Sequence, residues 1–356
     1  MNETSILYVG TTWYGSTTVQ RKRALEDIGC IIDTVDTGWR QKAPAIGRRI
    51  VRSFFRRTGY PLEMKNENQK IIDAVPQKRY DIVWVDKGLT IRPKTLDFIH
   101  RQQPQAVILS FSVDDMANPE NQSRYYLKCV PRYDLHVTTK TPNVSELKEF
   151  GAKHVFYIEN GYDPHVHRPV EITEEDKKQY GAGIGFVGGY ETARAESLLR
   201  LAEAGIPVRV WGNRWYMLKN RPTILRIEDR PVFGDEYAKV LCATKINLAF
   251  LRKINRDQQT TRSIEIPACG AFMLAERTKE HQKLFKEDEE AVFFESDQEL
   301  IEKIRHFLKA TDERKRIARA GYTRCLENGY SNQKRLEPVL KECNKVQTAK
   351  MRSGVF

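Results

Sequence analysis

Residues 246–274 run INLAFLRKINRDQQTTRSIEIPACGAFML. Ile246–Phe250 is a short run, apolar but for Asn247, the pattern of a strand covered on both faces. A basic loop follows, bearing Arg252, Lys253 and Arg256. A helix is expected to begin near Gln259–Thr261 and to end at Cys269-Gly270, where glycine suits the left-handed position after a helix. A second apolar run, Ala271–Leu274, comes straight after. Strand, helix and strand in that order predict a βαβ unit, and therefore a parallel, doubly wound α/β sheet.

The same alternation extends outward in both directions. Ser5–Gly10, Ile31–Asp36, Asp81–Asp86, Ala106–Phe111 and Asp134–Thr138 read as buried strands, with helical segments such as Thr17–Ile28, Lys94–Gln102 and Val144–Phe150 between them. A second series comprises Gly183–Val187, Val208–Trp211, Ile246–Phe250, Ala271–Leu274 and Ala291–Phe294. After Ser296 the pattern is purely helical, over Gln298–Leu308, Glu313–Glu327 and Asn332–Lys345, with a frayed end expected from Gln347 onward. Pro164, Pro169 and the acidic stretch EITEEDKK mark a surface linker between the two series. The expected organisation is a Rossmann-like domain over 1–165, a second over 166–330, and a C-terminal helix and tail over 331–356. Ligands of open parallel sheets bind beyond the carboxyl ends of the strands. Two such domains facing one another would enclose a central cleft there.

Composition narrows the classes of function. Lys and Arg number 59 against 47 Asp and Glu, a net charge of +12 that favours anionic partners. No apolar run approaches the roughly 18 residues of a membrane span, and MNETSILYVG is not a secretory leader. Cys30, Cys129, Cys242, Cys269, Cys325 and Cys343 stand singly, without metal-binding spacing, as in a reducing compartment. The expected location is the cytoplasm.

Several motifs fail on inspection. GTTWYGST at 10–17 carries Ser16 where a phosphate-binding P-loop needs lysine. The glycines of Gly183, Gly185 and Gly188 straddle a strand instead of following it, so they are not a dinucleotide fingerprint, although Gly188-Gly189 marks a turn where backbone approaches a ligand closely. Asp163-Pro-His165-Val-His167 has no further metal ligand placed by nearby sequence and reads as a polar turn. There is no Asp-x-Asp triplet and no G-x-S-x-G elbow.

The segment after Phe250 does point to chemistry. A helix N-terminus directs free N–H groups and partial positive charge at whatever lies before it. Thr260, Thr261 and Arg262 add hydroxyl and guanidinium donors, with Arg252 as a further cation. Together they describe a pyrophosphate site, with Glu265 placed to accept from a ribose diol.

RSIEIPACGAFMLAE at 262–276, followed by HQKLF and a Phe-Phe strand, resembles the CgeB-like (spore maturation protein type) glycosyltransferases of the GT-B superfamily. The likeness covers about residues 130–335. It implies a metal-independent, cytoplasmic enzyme moving a sugar from a nucleoside diphosphate donor, UDP favoured, to an acceptor hydroxyl, with no separate cofactor. It pairs Asp257 with Glu265 in the register of the superfamily's two glutamates, and sets Arg194, within GFVGGYETARAE, on the diphosphate beside Arg262. ENGYDPHVHRP at 159–169 is similar to the segment crossing between GT-B domains. In this frame Val210–Asn213, with Gly212 and Asn213, lines the base pocket. Asp114 and Asp115 are candidate bases for an inverting reaction, which a retaining enzyme would not need. Gly10, Thr12, Trp13, Tyr14 and Gly15 face the acceptor, with Trp13 or Tyr14 stacking on a sugar.

Residues 40–57 are rich in arginine and lysine (Arg40, Lys42, Arg48, Arg49, Arg52, Arg56, Arg57), with Ile46, Ile50 and Phe54 on one helical stripe. Two readings stand: a helix packed on its own domain, or a surface for an anionic acceptor or the inner membrane face. The acceptor class is open among glycans, lipid-linked molecules and others. Competing functions are a sugar-nucleotide epimerase or hydrolase on the same fold, and a basic nucleic-acid-binding protein, which the absence of any recognisable binding motif disfavours.

Overall fold

A computed structural model describes residues 3–38 and 45–353, those at 45–50, 52 and 353 through their backbone only. The chain divides into two compact units. One runs up to Glu159 and resumes at Asn332; the other is Asn160–Ser331. The division thus falls at Glu159/Asn160, ahead of the expected 165/166, and the last helix belongs to the first unit instead of standing apart.

The first unit contains β1 (Ser5–Gly10), β2 (Ile31–Asp36), β3 (Ile82–Asp86), β4 (Val107–Ser112), β5 (Leu135–Thr138) and β6 (Val155–Tyr157). They form one parallel sheet in the order β2-β1-β3-β4-β5-β6. Alternate residues serve opposite faces. Tyr8, Trp84 and Phe111 stack on one face, with ring centroids 6.0 and 5.3 Å apart, while Leu7, Val9, Val83, Val85 and Ile108 fill the other. Leu336, Val339 and Cys343 of the helix Asn332–Ser353 complete the first face. That helix continues past the expected fray point at Gln347 because Lys350 anchors it, donating to the Ala106 carbonyl at 2.7 Å and pairing with Asp134 at 2.8 Å.

The second unit carries β7 (Ala182–Val187), β8 (Val208–Trp211), β9 (Leu225–Ile227), β10 (Thr244–Ala249), β11 (Met273–Glu276) and β12 (Val292–Phe294). Its parallel sheet has the order β12-β11-β10-β7-β8-β9. EITEEDKK is not a loose linker: Glu174–Tyr180 is a helix. Thr173 Oγ1 accepts from the Asp176 N–H at 3.1 Å and Asp176 accepts in return, a capping box that its T-x-x-D spacing encodes. Among the described residues no helix is long and apolar enough to cross a membrane.

Burial makes this fold acid-sensitive. His136 on β5 is fully enclosed, donates from Nε2 to the Val130 carbonyl at 2.9 Å, and is held down to a pKa of about 4 by loss of solvent. An unfolded histidine titrates near 6.5, so the unfolded chain binds the extra proton and stability falls as pH drops from about 6.5 toward 4. Between pH 7 and 5 this one residue is expected to remove about 2 kcal/mol, and buried His167 and His281 act in the same direction. Urea unfolding at the two pH values checks this; equal stabilities would refute it.

Candidate functional site

In the second unit the chain leaves β10 through Phe250 and Leu251, makes one tight turn at Lys253–Asn255, and enters the helix Arg262–Ala268. The helix starts at Arg262, later than the expected 259–261, with Thr261 as its cap residue and Gly270 left-handed at φ +66° beyond its end. Two polar atoms at this start, Arg262 Nε and Thr260 Oγ1, are buried with no hydrogen-bond partner among the described residues. Buried donors and acceptors are nearly always paired, with protein, ordered water or ligand, so these two atoms are open to a polar partner from outside the chain.

Arg194 lies beside Arg262, both guanidinium groups resting over the Phe186 ring at 5.6 and 5.9 Å from its centroid. It is 3% exposed, and its pKa falls to about 9 through burial first and the neighbouring Arg262 charge second. Its Nη1 donates to Gly189 O at 3.2 Å, Nη2 to Phe250 O at 3.2 Å and Nε to Leu251 O at 3.3 Å. Arg194 therefore braces the turn after β7 against the loop after β10. Most of its fork is occupied by carbonyl groups, in place of the diphosphate that the family resemblance implies for it.

The backbone N–H of Thr260 is also engaged, donating to Ser263 Oγ at 3.1 Å. Ser263 Oγ lies 2.6 Å from His281 Nε2, and His281 Nδ1 is 2.6 Å from the Glu276 carbonyl. A carbonyl only accepts, so Nδ1 carries the proton and Nε2 accepts from Ser263. The donors then run in one direction from Thr260 to Glu276. The Glu276 carboxylate accepts from Leu251 N at 2.7 Å and pairs with Lys253, so one residue at the end of β11 holds both borders of the site. Ser263→Ala leaves the Thr260 amide and His281 Nε2 unsatisfied, each costing about 1–3 kcal/mol. Denaturant unfolding is expected to show a loss in that range, and a thermal melt unchanged from the parent would contradict it.

Glu265, on the buried face of the same helix, accepts from Tyr237 Oη at 2.7 Å and faces His167 Nε2 at 3.6 Å. His167 Nδ1 accepts from the Asp163 amide at 3.0 Å, which leaves its proton on Nε2, pointing to the carboxylate. Burial lowers the His167 pKa and, with Glu265 alongside, raises that of Tyr237 well above the ordinary range. Neither Tyr237 nor His167 was assigned a part by the sequence; both are far from Glu265 along the chain. Asp257 accepts from Arg252 N at 3.2 Å and closes its own loop, while Arg252 Nε donates to Glu191 at 2.6 Å. Gly188 and Gly212 form a backbone crossing: a Cβ on Gly212 would stand 1.9 Å from Gly188 O. Gly188 O accepts from Trp215 Nε1 at 2.8 Å, and exposed Asn213 accepts through its carbonyl from Tyr190 N at 2.9 Å. Gly189 stays open, with nothing nearer than 3.6 Å to a Cβ placed there.

The first unit holds a cavity of about 410 Å³ beyond the carboxyl ends of β1, β3 and β4. Its floor has Arg21, Asp86, Lys87 and Asp114; Val51 and Phe55 of the helix Ala45–Thr58 line it, with Pro61, Leu62 and Leu89. Lys87 is left-handed at φ +66° and Gly88 follows at +54°, a bend that turns Lys87 onto Asp114 at 2.5 Å. The candidate bases separate here. Asp115 is 1% exposed, accepting from Asn143 Nδ2 at 2.7 Å and Ala117 N at 3.1 Å within its own turn, whereas Asp114 borders the cavity. Of the first loop, Thr11 lines the cavity but Thr12, Trp13, Tyr14 and Gly15 do not. Gly10 abuts Thr18 and Asp86 too closely for a side chain, and Tyr14 is 64% exposed. Ser16 caps the helix Thr17–Asp27 through Val19 N. Arg40 and Lys42 of the basic stretch lie outside the described residues, as do the side chains of Arg48, Arg49 and Arg52.

Residues 194–341 match the model of a family described as glycosyl transferase-like. No curated protein sequence matches the chain. Among solved structures, HepE of Anabaena, crystallised with UDP and glucose, superposes with a TM-score of 0.60 at 11% identity, covering 96% of this chain and 100% of that one. A glycosyltransferase of Rickettsia africae gives 0.62 at 14%, covering 97% and 99%. Sucrose-phosphate synthase of Thermosynechococcus elongatus gives 0.64 at 13%, covering 99% and 100%. The chain has the GT-B fold, and residues 194–341 are similar to a glycosyl transferase-like family.

Proposed function

We propose that the protein is a glycosyltransferase that moves a sugar from a nucleoside diphosphate donor, UDP favoured, to an acceptor hydroxyl. One observation carries the reading: Arg262 Nε and Thr260 Oγ1, buried and unpartnered at one helix start, beside the cation of Arg194. Cleaving a sugar–phosphate bond builds negative charge on the departing diphosphate. Fixed donors in a buried site stabilise such charge without reorganising. Arg262 and Thr260 meet the diphosphate, Arg194 adds field while holding the two loops, and Glu265, oriented by Tyr237, accepts from the ribose. Asp114 is the candidate base if the reaction inverts. The paired cations do the work a metal does elsewhere, so metal independence belongs to this reading, as does the CgeB-like grouping suggested by 262–276. The glycosyl transferase-like match over 194–341 and the UDP-bound HepE neighbour support it.

A thermal-shift panel of UDP, GDP, dTDP and CMP tests the donor site, since a ligand of the native state raises the melting point. UDP is expected to give the largest shift, and no shift with any of the four would end the proposal. Nucleotide release that needs no acceptor would indicate a hydrolase instead. The cytoplasmic, peripheral location is proposed with the basic segment 40–57 as its anionic-membrane contact; equal flotation with neutral and anionic liposomes would discard that contact.

A further inference from the structure

The cysteines stand singly along the sequence, but the fold of the second unit brings two of them together. Cys242 lies near the end of the helix Gly234–Ala243, and Cys269 ends the helix that starts at Arg262. As a thiol, Cys242 donates from Sγ to the Cys269 carbonyl at 3.3 Å. Once ionised, it accepts from the Cys269 thiol. The same two helices also meet one turn earlier, where Tyr237 Oη donates to Glu265 at 2.7 Å. Their facing sides are thus held together over a full turn, which keeps the two sulfur atoms opposed. A disulfide needs its sulfurs about 2.05 Å apart, a short approach from hydrogen-bond contact.

The chemistry of the pair differs from that of the other cysteines. The thiolate, not the thiol, attacks an oxidant. The hydrogen bond from Cys269 outweighs burial and, with the Val170 amide and the Arg168 charge, holds the Cys242 thiol below its ordinary range. Cys242 alone of the six is only partly buried. Burial pushes Cys30 up to about 11 and both Cys129 and Cys343 up to about 12, and Cys325 is fully enclosed. Cys269 is raised well above the ordinary range by the bond to Cys242 and by burial. One sulfur is set to attack and its neighbour stays protonated to resolve, the two roles of a redox-active thiol pair.

We infer that Cys242 and Cys269 form a reversible disulfide when the protein meets a peroxide, and that this bridge braces the loop carrying Arg252, Thr260 and Arg262. The Cys242 thiolate attacks one peroxide oxygen; the O–O bond breaks, hydroxide leaves and the sulfur becomes a sulfenic acid. Cys269 Sγ then attacks that sulfur, the S–O bond breaks, and the departing hydroxide takes the Cys269 proton. Two thiols are oxidised and one peroxide is reduced to two waters. The closed ring spans residues 242–269, so Thr260 and Arg262 lie inside it. Such a cross-link takes freedom from the unfolded chain. A transient bridge suits the reducing compartment that the scattered cysteines suggest, where lasting disulfides are rare. It stands on these two helices alone and does not rest on the glycosyl-transfer reading.

Treating the reduced full chain with equimolar hydrogen peroxide should lower its mass by about 2 Da, the two thiol hydrogens. Thiol titration after denaturation should find two fewer free thiols, and peptide mapping should join Cys242 to Cys269. Dithiothreitol should restore both. The bridged form should melt about 5 °C or more above the reduced form. Cys269→Ser, without the resolving thiol, should stop at a sulfenic acid that dimedone traps on Cys242, whereas Cys242→Ser should give no such adduct. Cys30→Ser should bridge as the parent does. A parent chain that keeps all its thiols, joins other cysteines, or melts no higher once bridged would overturn the inference, and these readouts need no variant to fold. A Cys242→Ser chain that still loses two thiols would overturn it as well.

Discussion

Arg262→Ala is expected to lower turnover by about 10²–10³, the loss typical of removing one preorganised oxyanion donor. Arg262 opens the helix that follows β10, its Nε is buried without a partner, and Phe186 fixes its guanidinium plane from one side. A donor held in place with nothing to donate to is costly in the free protein, and the cost is recovered when a charged ligand arrives. Because the ligand's charge grows during bond cleavage, the loss should fall more on kcat than on donor binding. Arg262→Lys keeps the charge but not the planar fork, so it should recover part of the rate only. The alanine change gives up the contact with Phe186 but no hydrogen bond at Nε, so circular dichroism should stay near the parent trace. An alanine variant with parental turnover and donor affinity would remove this helix start from the mechanism.

The largest expected effect on stability lies in the other unit. Asp86→Ala should cost about 3–5 kcal/mol, as breaking one side of a buried ion pair does. Asp86 closes β3 and accepts from Arg21 Nε and Nη2, both at 2.9 Å, and from Tyr8 Oη at 2.9 Å. Without it the Arg21 guanidinium is left enclosed at the cavity floor, over the Phe111 ring at 4.6 Å, with no counter-charge. Removing both partners is gentler. An Arg21→Met, Asp86→Leu double variant should regain more than half of the loss, and a double-mutant cycle by urea denaturation measures the coupling. If the double variant is no more stable than Asp86→Ala, the burial cost of Arg21 has been overestimated.

Much of the fold was readable because buried parallel strands announce themselves. SILYVG, DIVWVD and the runs near 107, 184 and 246 are largely apolar stretches framed by turn residues. β6 and β9 escaped because VFY and LRI span three residues each and lie at sheet edges, where no period can be established. The pyrophosphate reading of Thr260 and Arg262 came from the order strand, basic loop, helix, which places a helix start at a carboxyl edge whatever the distant contacts are. What stayed hidden depends on those contacts. Arg194 stands in a sequence pattern that says nothing of the carbonyls of Phe250 and Leu251. Ser263 and His281 meet only because β11 and its following turn bring them together. Asp114 and Asp115 are neighbours of identical chemistry, and only the direction of one backbone turn separates the cavity-lining carboxylate from the structural one.

The last helix, Asn332–Ser353, fills the face of the first sheet beneath Tyr8 and Trp84. During translation the earliest strands must therefore wait, with that apolar face covered only in part by Ala24 and Leu25, until this helix has cleared the ribosome. The intervening segment Asn160–Ser331 needs nothing outside itself to complete its own sheet, and the Tyr162 amide already bonds the Tyr330 carbonyl across its two ends at 3.1 Å. The half that is synthesised later is thus the first able to finish, and a ribosome stalled within the helix Asn332–Ser353 would hold one mature module and one that still requires a chaperone's shelter.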